Sequence, residues 1–157
     1  MHITSLLHER NVAISLEAAT KEEALEKLIT TLGKSPKVFD IDSLREDVLR
    51  REEMATTGIG DGIAIPHAKT EVVSDILAAF AVLKEPIDYH ALDDQPVQII
   101  FLLIGMESHV GTYLKILSRV RRLTSSASFR KRLLQADSSK NIIEAFGEEE
   151  ERYFEMA

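Results

Sequence analysis

The 157-residue chain is 45% hydrophobic and 29% charged, with a formal net charge of −7, as expected of a globular domain long enough to bury its own core. It has no cysteine, which excludes disulfides, thiolate metal sites and a cysteine nucleophile, and no apolar run approaches the roughly 18 residues of a membrane span. The acidic balance argues against general nucleic-acid binding. The N-terminus has no basic segment leading into an apolar core, so no signal peptide is read and a cytoplasmic protein is expected.

In chain order, "VAIS" from residue 12 reads as a candidate strand. "TKEEALEKLITTLGK" reads as a helix: Thr20 and Glu23 have capping-box spacing, Ala24, Leu25, Leu28, Ile29 and Leu32 share one face, and Gly33 is placed to end it. "DSLREDVLRREEM" reads as a second helix, with Ser43 and Glu46 as its box and Leu44, Val48 and Leu49 inward. Three apolar runs read as strands: "GIAIP" (62–66), "ILAAFAVL" (76–83) and "VQIIFLLIG" (97–105). The unbroken apolarity of the last predicts burial on both faces, as in a sheet covered by helices. "TYLKILSRVRRL" predicts a helix with Tyr113, Ile116, Leu117, Val120 and Leu123 on one side. "SASFRKRLLQA" and "SSKNIIEAFG" follow as short helices, the second closed at Gly147. The cations Arg119, Arg121, Arg122, Arg130, Lys131 and Arg132 read as the solvated face of two helices. The expected architecture is one α/β domain over residues 1–147, a mixed sheet of four to five strands with helices on both sides, and an acidic tail over 148–157 that frays or forms a short solvated helix.

The stretch "GIGDGIAIPHAKT" carries three of the seven glycines, at Gly58, Gly60 and Gly62, and ends in a lone histidine, His67. Glycines let backbone amides approach a bound anion. No Gly-Lys-Ser/Thr follows, so this is not a P-loop, and the glycines precede a strand, so it is not a dinucleotide fingerprint. A neutral imidazole nitrogen is a good nucleophile toward phosphorus, and the transfer then needs mainly positioning and charge stabilisation. On this reading His67 accepts a phosphoryl group. The amides of the Gly58–Gly60 loop and the hydroxyls of Thr56 and Thr57 are placed to hold its oxygens, and Arg51 offsets the charge. An ordinary core or surface histidine remains the alternative. No metal site is expected, because only Glu71 lies at ligand spacing from His67. No organic cofactor is required. His2, His8, His90 and His109 read as solvated, and Asp93–Asp94 as a turn.

"REEMATTGIGDGIAIPHAK" resembles the phosphohistidine signature of fructose/mannitol-type EIIA components of the bacterial phosphoenolpyruvate-dependent sugar phosphotransferase system, a family that includes nitrogen-regulatory EIIA proteins. An Arg-Glu pair, Thr-Gly-Ile-Gly and Ile-Ala-Ile-Pro-His carry the likeness, which extends from about residue 3 to 147. The resemblance implies a sheet sandwiched by helices. It implies that His67 takes a phosphoryl group from the phosphocarrier protein HPr or a relative. The group then passes to a EIIB cysteine, or the phosphorylated protein signals to a regulatory target; a membrane permease is reached only through partners. Arg51 matches the family's site arginine and Thr57 its small hydroxyl residue. One departure stands out: Tyr113 occupies the position where the family usually has a second histidine, and His109 does not match it by spacing.

Overall fold

A computed structural model describes residues 1–155. In chain order it contains β1 (Val12–Leu16), α1 (Lys21–Gly33), α2 (Ile41–Met54), β2 (Gly58–Gly60), β3 (Ile63–Ala64), β4 (His67–Lys69), β5 (Leu77–Ile87), β6 (Val97–Gly105), α3 (Val110–Thr124), α4 (Ala127–Gln135) and α5 (Ser139–Glu150). The sheet runs β1-β5-β6-β3-β2, with β4 also paired to β6. β5 is antiparallel to β6, β1 is parallel to β5, and β3 and β4 both run parallel to β6.

The central strand is β6, buried at every position except Gln98, as its apolar run predicts. Alternation along β5 and β6 divides the core in two. Phe80, Phe101 and Leu103 meet the residues of α3, α4 and α5. There Phe146 stands edge-on to Phe80, Phe101 and Phe129, with ring centroids 5.4, 5.9 and 5.1 Å away, a favoured aromatic geometry. The opposite face presents Ala79 and Ala81 beside Ile100 and Leu102. These small residues leave room for the apolar faces of α1 and α2, through Leu28, Ile29, Leu44 and Val48.

Four local readings need correction. The sheet has six strands, because short strands also form at Gly58–Gly60 and His67–Lys69, on either side of the expected strand over 62–66, of which only Ile63 and Ala64 pair. β3 pairs with Ile99 and Ile100, Ile65 and Pro66 interrupt it, and β4 resumes beside Leu103, Ile104 and Gly105. Asp40, not Ser43, caps α2: its carboxylate accepts from the amides of Asp42 and Ser43. Gly147 lies inside α5, which continues to Glu150. The Glu150 carboxylate is buried and accepts from the amides of Ile3 and Thr4 at 2.7 and 3.0 Å, so this acidic residue ties the two ends of the domain together. Two cations of the basic run also turn inward. Arg119 lies 3.6 Å from Glu150, and Arg130 donates to the last carbonyls of α3, at Thr124 and Ser125. Thr20 caps α1 as expected, accepting from the Glu23 amide, while Glu23 reaches back to the amide of Ala19.

Candidate functional site

The site forms where α2, β4 and α3 meet. α2 and β4 are tied by the Thr70 hydroxyl, just past β4, which donates to Asp47 of α2 at 2.7 Å. Arg51 lies in the last turn of α2, where the chain turns extended at Ala55, and its Nη1 donates to the Ala55 carbonyl at 3.3 Å. His67 opens β4 and is half-buried.

The two ring nitrogens of His67 differ in environment. Nδ1 lies 2.6 Å from the carbonyl oxygen of Ile65. A carbonyl can only accept, so Nδ1 carries the proton and Nε2 keeps its lone pair. Nε2 faces Arg51, whose Nη2 is 3.5 Å away. Burial pushes the His67 pKa below its usual value. The positive charges of Arg51 and Arg121 push the same way, against the Ile65 hydrogen bond and Glu52. The ring is therefore neutral near pH 7, the state a nucleophilic imidazole needs.

Tyr113, on the first turn of α3, completes the group. Its ring centroid lies 6.4 Å from that of His67, with the rings tilted 51°. It is 4% exposed, and burial raises its pKa to about 12, so it stays a neutral O–H donor. Its hydroxyl has no hydrogen-bond partner among the described residues. Gly105 makes room for it, since a Cβ there would fall 2.3 Å from the tyrosine ring. A cavity of about 260 Å³ lies over these groups, lined by Arg50, Arg51, Met54, His67, Lys69 and Tyr113 among others.

The remaining expected site residues are placed differently. Thr57 is buried, its amide and hydroxyl both donating to Glu52 at 2.9 and 2.7 Å, so neither is free for a phosphoryl oxygen. Gly58 pairs through Ala64 with Ile100, three residues before Leu103, the partner of His67. That places it roughly 10 Å along the sheet from the imidazole at the strand's rise per residue. Gly60, which aligns with Ile63 and hence Ile99, lies farther still. Both glycines sit in close contact with neighbouring backbone and side chains. A Cβ on Gly58 would lie 2.8 Å from Ala91, and Gly60 holds a φ of +108° beside Asp93, a conformation that favours glycine. Thr56 remains at the near end, half-buried and next to the carbonyl that Arg51 grips, with its oxygen accepting from the Gly58 amide at 3.2 Å.

Sequence reading missed what lies beneath Arg51. Glu52 is buried, paired with Lys21 at 2.8 Å and bonded to Thr57. The Thr57 hydroxyl lies 3.1 Å from that of Tyr89, and the Lys21 ammonium sits 4.4 Å from the Tyr89 ring centroid. A glutamate at a helix end reads as solvated; only its place beside Arg51 in the motif hinted otherwise. Arg121 is exposed, as the basic run predicts, and its positive charge adds to the lowering of the His67 pKa. His109, bonded to Ser108 at 3.0 Å, does not line the cavity. No cluster of three or more His, Asp or Glu suited to a metal ion occurs among the described residues, and no described helix is long and apolar enough to cross a membrane.

Residues 5–149 match the family model described as phosphoenolpyruvate-dependent sugar phosphotransferase system, EIIA 2. The chain belongs to this EIIA family. It is 39% identical over 144 residues to the fructose-specific EIIABC component of Bacillus subtilis, covering 92% of this chain but only 23% of that longer protein. It is 34% identical over 147 residues to the nitrogen regulatory protein of Bradyrhizobium diazoefficiens, covering 90% of this chain and 92% of the relative. The crystal structure of nitrogen regulatory protein IIA-Ntr from Neisseria meningitidis superposes with a TM-score of 0.87 at 27% identity, over 92% of this chain and 98% of that one. The Escherichia coli mannitol IIA, solved in complex with phosphorylated IIB, shares the fold at a TM-score of 0.77 and 21% identity, over 90% and 97% of the two chains. The mixed sheet flanked by helices, read from the sequence alone, is the fold of these EIIA structures.

Proposed function

We propose that this EIIA chain is a phosphocarrier in which Nε2 of His67 takes a phosphoryl group from HPr or an HPr-like protein. The observation that carries the reading is the Nδ1–H donated to the Ile65 carbonyl, which leaves the Nε2 lone pair facing the Arg51 guanidinium. The Nε2 lone pair forms the new N–P bond while the donor's nitrogen keeps the electron pair of the bond that breaks. The proton stays on Nδ1, which goes on donating it to the Ile65 carbonyl. Arg51 is the cation beside the incoming charge, and the Tyr113 hydroxyl donates one hydrogen bond to a phosphoryl oxygen. Thr56 is the remaining candidate donor of the loop.

Onward transfer goes to a EIIB cysteine thiolate, which attacks phosphorus and returns the pair to Nε2. Tyr113 positions a phosphoryl oxygen as the family's usual histidine would, but carries no positive charge. Acceptance therefore survives and onward transfer is slower. Replacing it as Tyr113→His is expected to speed transfer to EIIB; equal rates would remove this role.

A second reading is favoured by the likeness to nitrogen regulatory proteins. Here the phosphorylation state of His67 controls binding to a regulatory protein, through the added charge of about −1.5 to −2. A slow onward step suits it, because the phosphorylated form persists.

The test is incubation with phosphoenolpyruvate, enzyme I and HPr, read by intact mass. One acid-labile phosphoryl group on the wild type and none on His67→Ala is expected. Equal gain on both proteins would move the acceptor elsewhere, and no gain with any HPr-type donor would remove the phosphocarrier reading.

A further inference from the structure

A second cavity, of about 280 Å³, shares no residue with the His67 site. It lies between the first residues of the chain, the C-terminal end of α1 and the start of β5. Its apolar lining includes Leu6, Leu32, Ile76 and Ala78, all buried. Its polar lining is unlike the rest of this acidic protein. Arg10, Lys34 and Lys37 stand against one carboxylate, Asp75, which Lys37 already pairs at 2.9 Å. The side chains of Arg10 and Lys34 make no hydrogen bond or ion pair among the described residues. Ser5 adds a hydroxyl without a partner among them, and the Ser35 oxygen only accepts, from the Lys37 amide.

Both walls are fixed. Asn11 spans the wall next to Arg10: its amide nitrogen donates to the Leu6 and Ala78 carbonyls at 2.9 Å each, and its oxygen accepts from the His8 amide at 2.7 Å. The opposite wall is held by the Lys37–Asp75 pair and by the Ser74 amide donating to the Lys37 carbonyl at 2.9 Å. The cavity is thus formed in advance of any occupant, which lowers the ordering cost of binding. Its volume is at the small end of ligand pockets, roughly 300–1,000 Å³. That leaves room for a short molecule and not for a folded partner.

From these features we infer that this cavity binds a small amphipathic oxyanion, a carboxylate or phosphate monoester carried on a short apolar body. The body covers Leu6, Leu32 and Ile76, and the oxyanion meets Arg10 and Lys34. A guanidinium and an ammonium both suit such a group, the first through paired N–H donors.

The site is independent of His67, and its test keeps the two claims separate. The full chain is titrated with hexanoate, hexyl phosphate, hexanol and inorganic phosphate while backbone amide shifts are followed by NMR. One of the two amphipathic anions is expected to shift the amides of Leu6, Leu32 and Ile76 with a Kd of about 1 mM or tighter. Which one binds tighter identifies the headgroup. Hexanol and inorganic phosphate should bind at least ~10-fold more weakly, as should the anion to the Arg10→Gln/Lys34→Gln variant, since a charge-assisted hydrogen bond is worth about that factor or more. Both replaced side chains are exposed, so the variant keeps its fold, checked by an otherwise unchanged spectrum. His67→Ala should bind like the wild type. Absence of shifts up to about 10 mM, equal binding of hexanol, equal binding of inorganic phosphate, or an unaltered affinity in the double variant would each overturn the proposal.

Discussion

Two parts of one short segment lie on the same side of β6, Gly58 one strand out from it and His67 paired with it, and their surroundings differ. At Gly58 the backbone is packed so closely that an added Cβ would meet Ala91 at 2.8 Å and Tyr89 at 3.0 Å. At His67 one ring nitrogen is bonded and the other borders a cavity of about 260 Å³. The glycine half, with Thr57 and Glu52 behind it, is built from satisfied polar groups and tight contacts. In the histidine half the Arg51 guanidinium lies 3.5 Å from Nε2 and the Tyr113 hydroxyl has no hydrogen-bond partner among the described residues. On the proposed function, the glycine-rich sequence therefore need not touch the phosphoryl group. It can fix the strand that presents the histidine.

This contrast predicts that damage to the first half shows in stability and damage to the second in rate. The largest effect is expected from Glu52→Ala, which leaves the Lys21 ammonium and two Thr57 donors unpaired in a buried setting. Breaking a buried pair in this way costs about 3–5 kcal/mol, readable as a lowered urea midpoint. A midpoint within error of the wild type would mean that the network holds nothing together. Next is Arg51→Ala, where the expected loss is ~100-fold in the rate of phosphoryl acceptance, with the midpoint nearly unchanged. If stability fell instead of rate, Arg51 would belong with the structural half.

Gly58→Ala should cost about 1–3 kcal/mol by overpacking against Ala91, and the folded fraction should still accept phosphate at the wild-type rate. Slowed acceptance by the folded fraction would bring the glycines back to the site. Tyr113→Phe removes one neutral donor and should slow acceptance by about three- to tenfold, with no larger change in stability than the lost hydroxyl allows.

The smallest expected effect is that of moderate acid. Because burial and the nearby guanidinium groups lower the His67 pKa, the imidazole stays neutral as pH falls from about 8 to the reference value near 6.5. Acceptance should keep more than half its plateau rate down to that reference value and reach its midpoint only below it, as protonation removes the Nε2 lone pair. A rate halved at or above pH 6.5 would show that the ring is not shielded as its surroundings indicate.

Much of this was legible in the sequence. Apolar periodicity marked the helices, and the unbroken run at 97–105 marked the central strand, because burial on both faces leaves no polar positions. The motif located His67 and Arg51, and the expected position of a second histidine led to Tyr113, which does stand beside His67. The end of pairing at Ala64 and its resumption at His67 are not visible in the sequence, since an apolar run looks the same whether all or part of it pairs. The surroundings of Thr57 and the glycines are not legible in the sequence for a similar reason. Spacing along the chain does not say that Thr57 turns inward to Glu52, or that three residues of strand separate Gly58 from the imidazole. Buried carboxylates such as Glu52 and Glu150 escape pattern reading because their partners, Lys21 and the amides of Ile3 and Thr4, are distant in sequence.

The most direct test of the central claim is the position of the phosphoryl group on the ring. The protein, labelled with 15N at histidine and phosphorylated through HPr, can be examined by NMR for nitrogen–phosphorus coupling and for the tautomer of the unmodified form. The account predicts a proton on Nδ1 before transfer and phosphorus on Nε2 after it. Phosphorus on Nδ1, the nitrogen bonded to the Ile65 carbonyl, would contradict it.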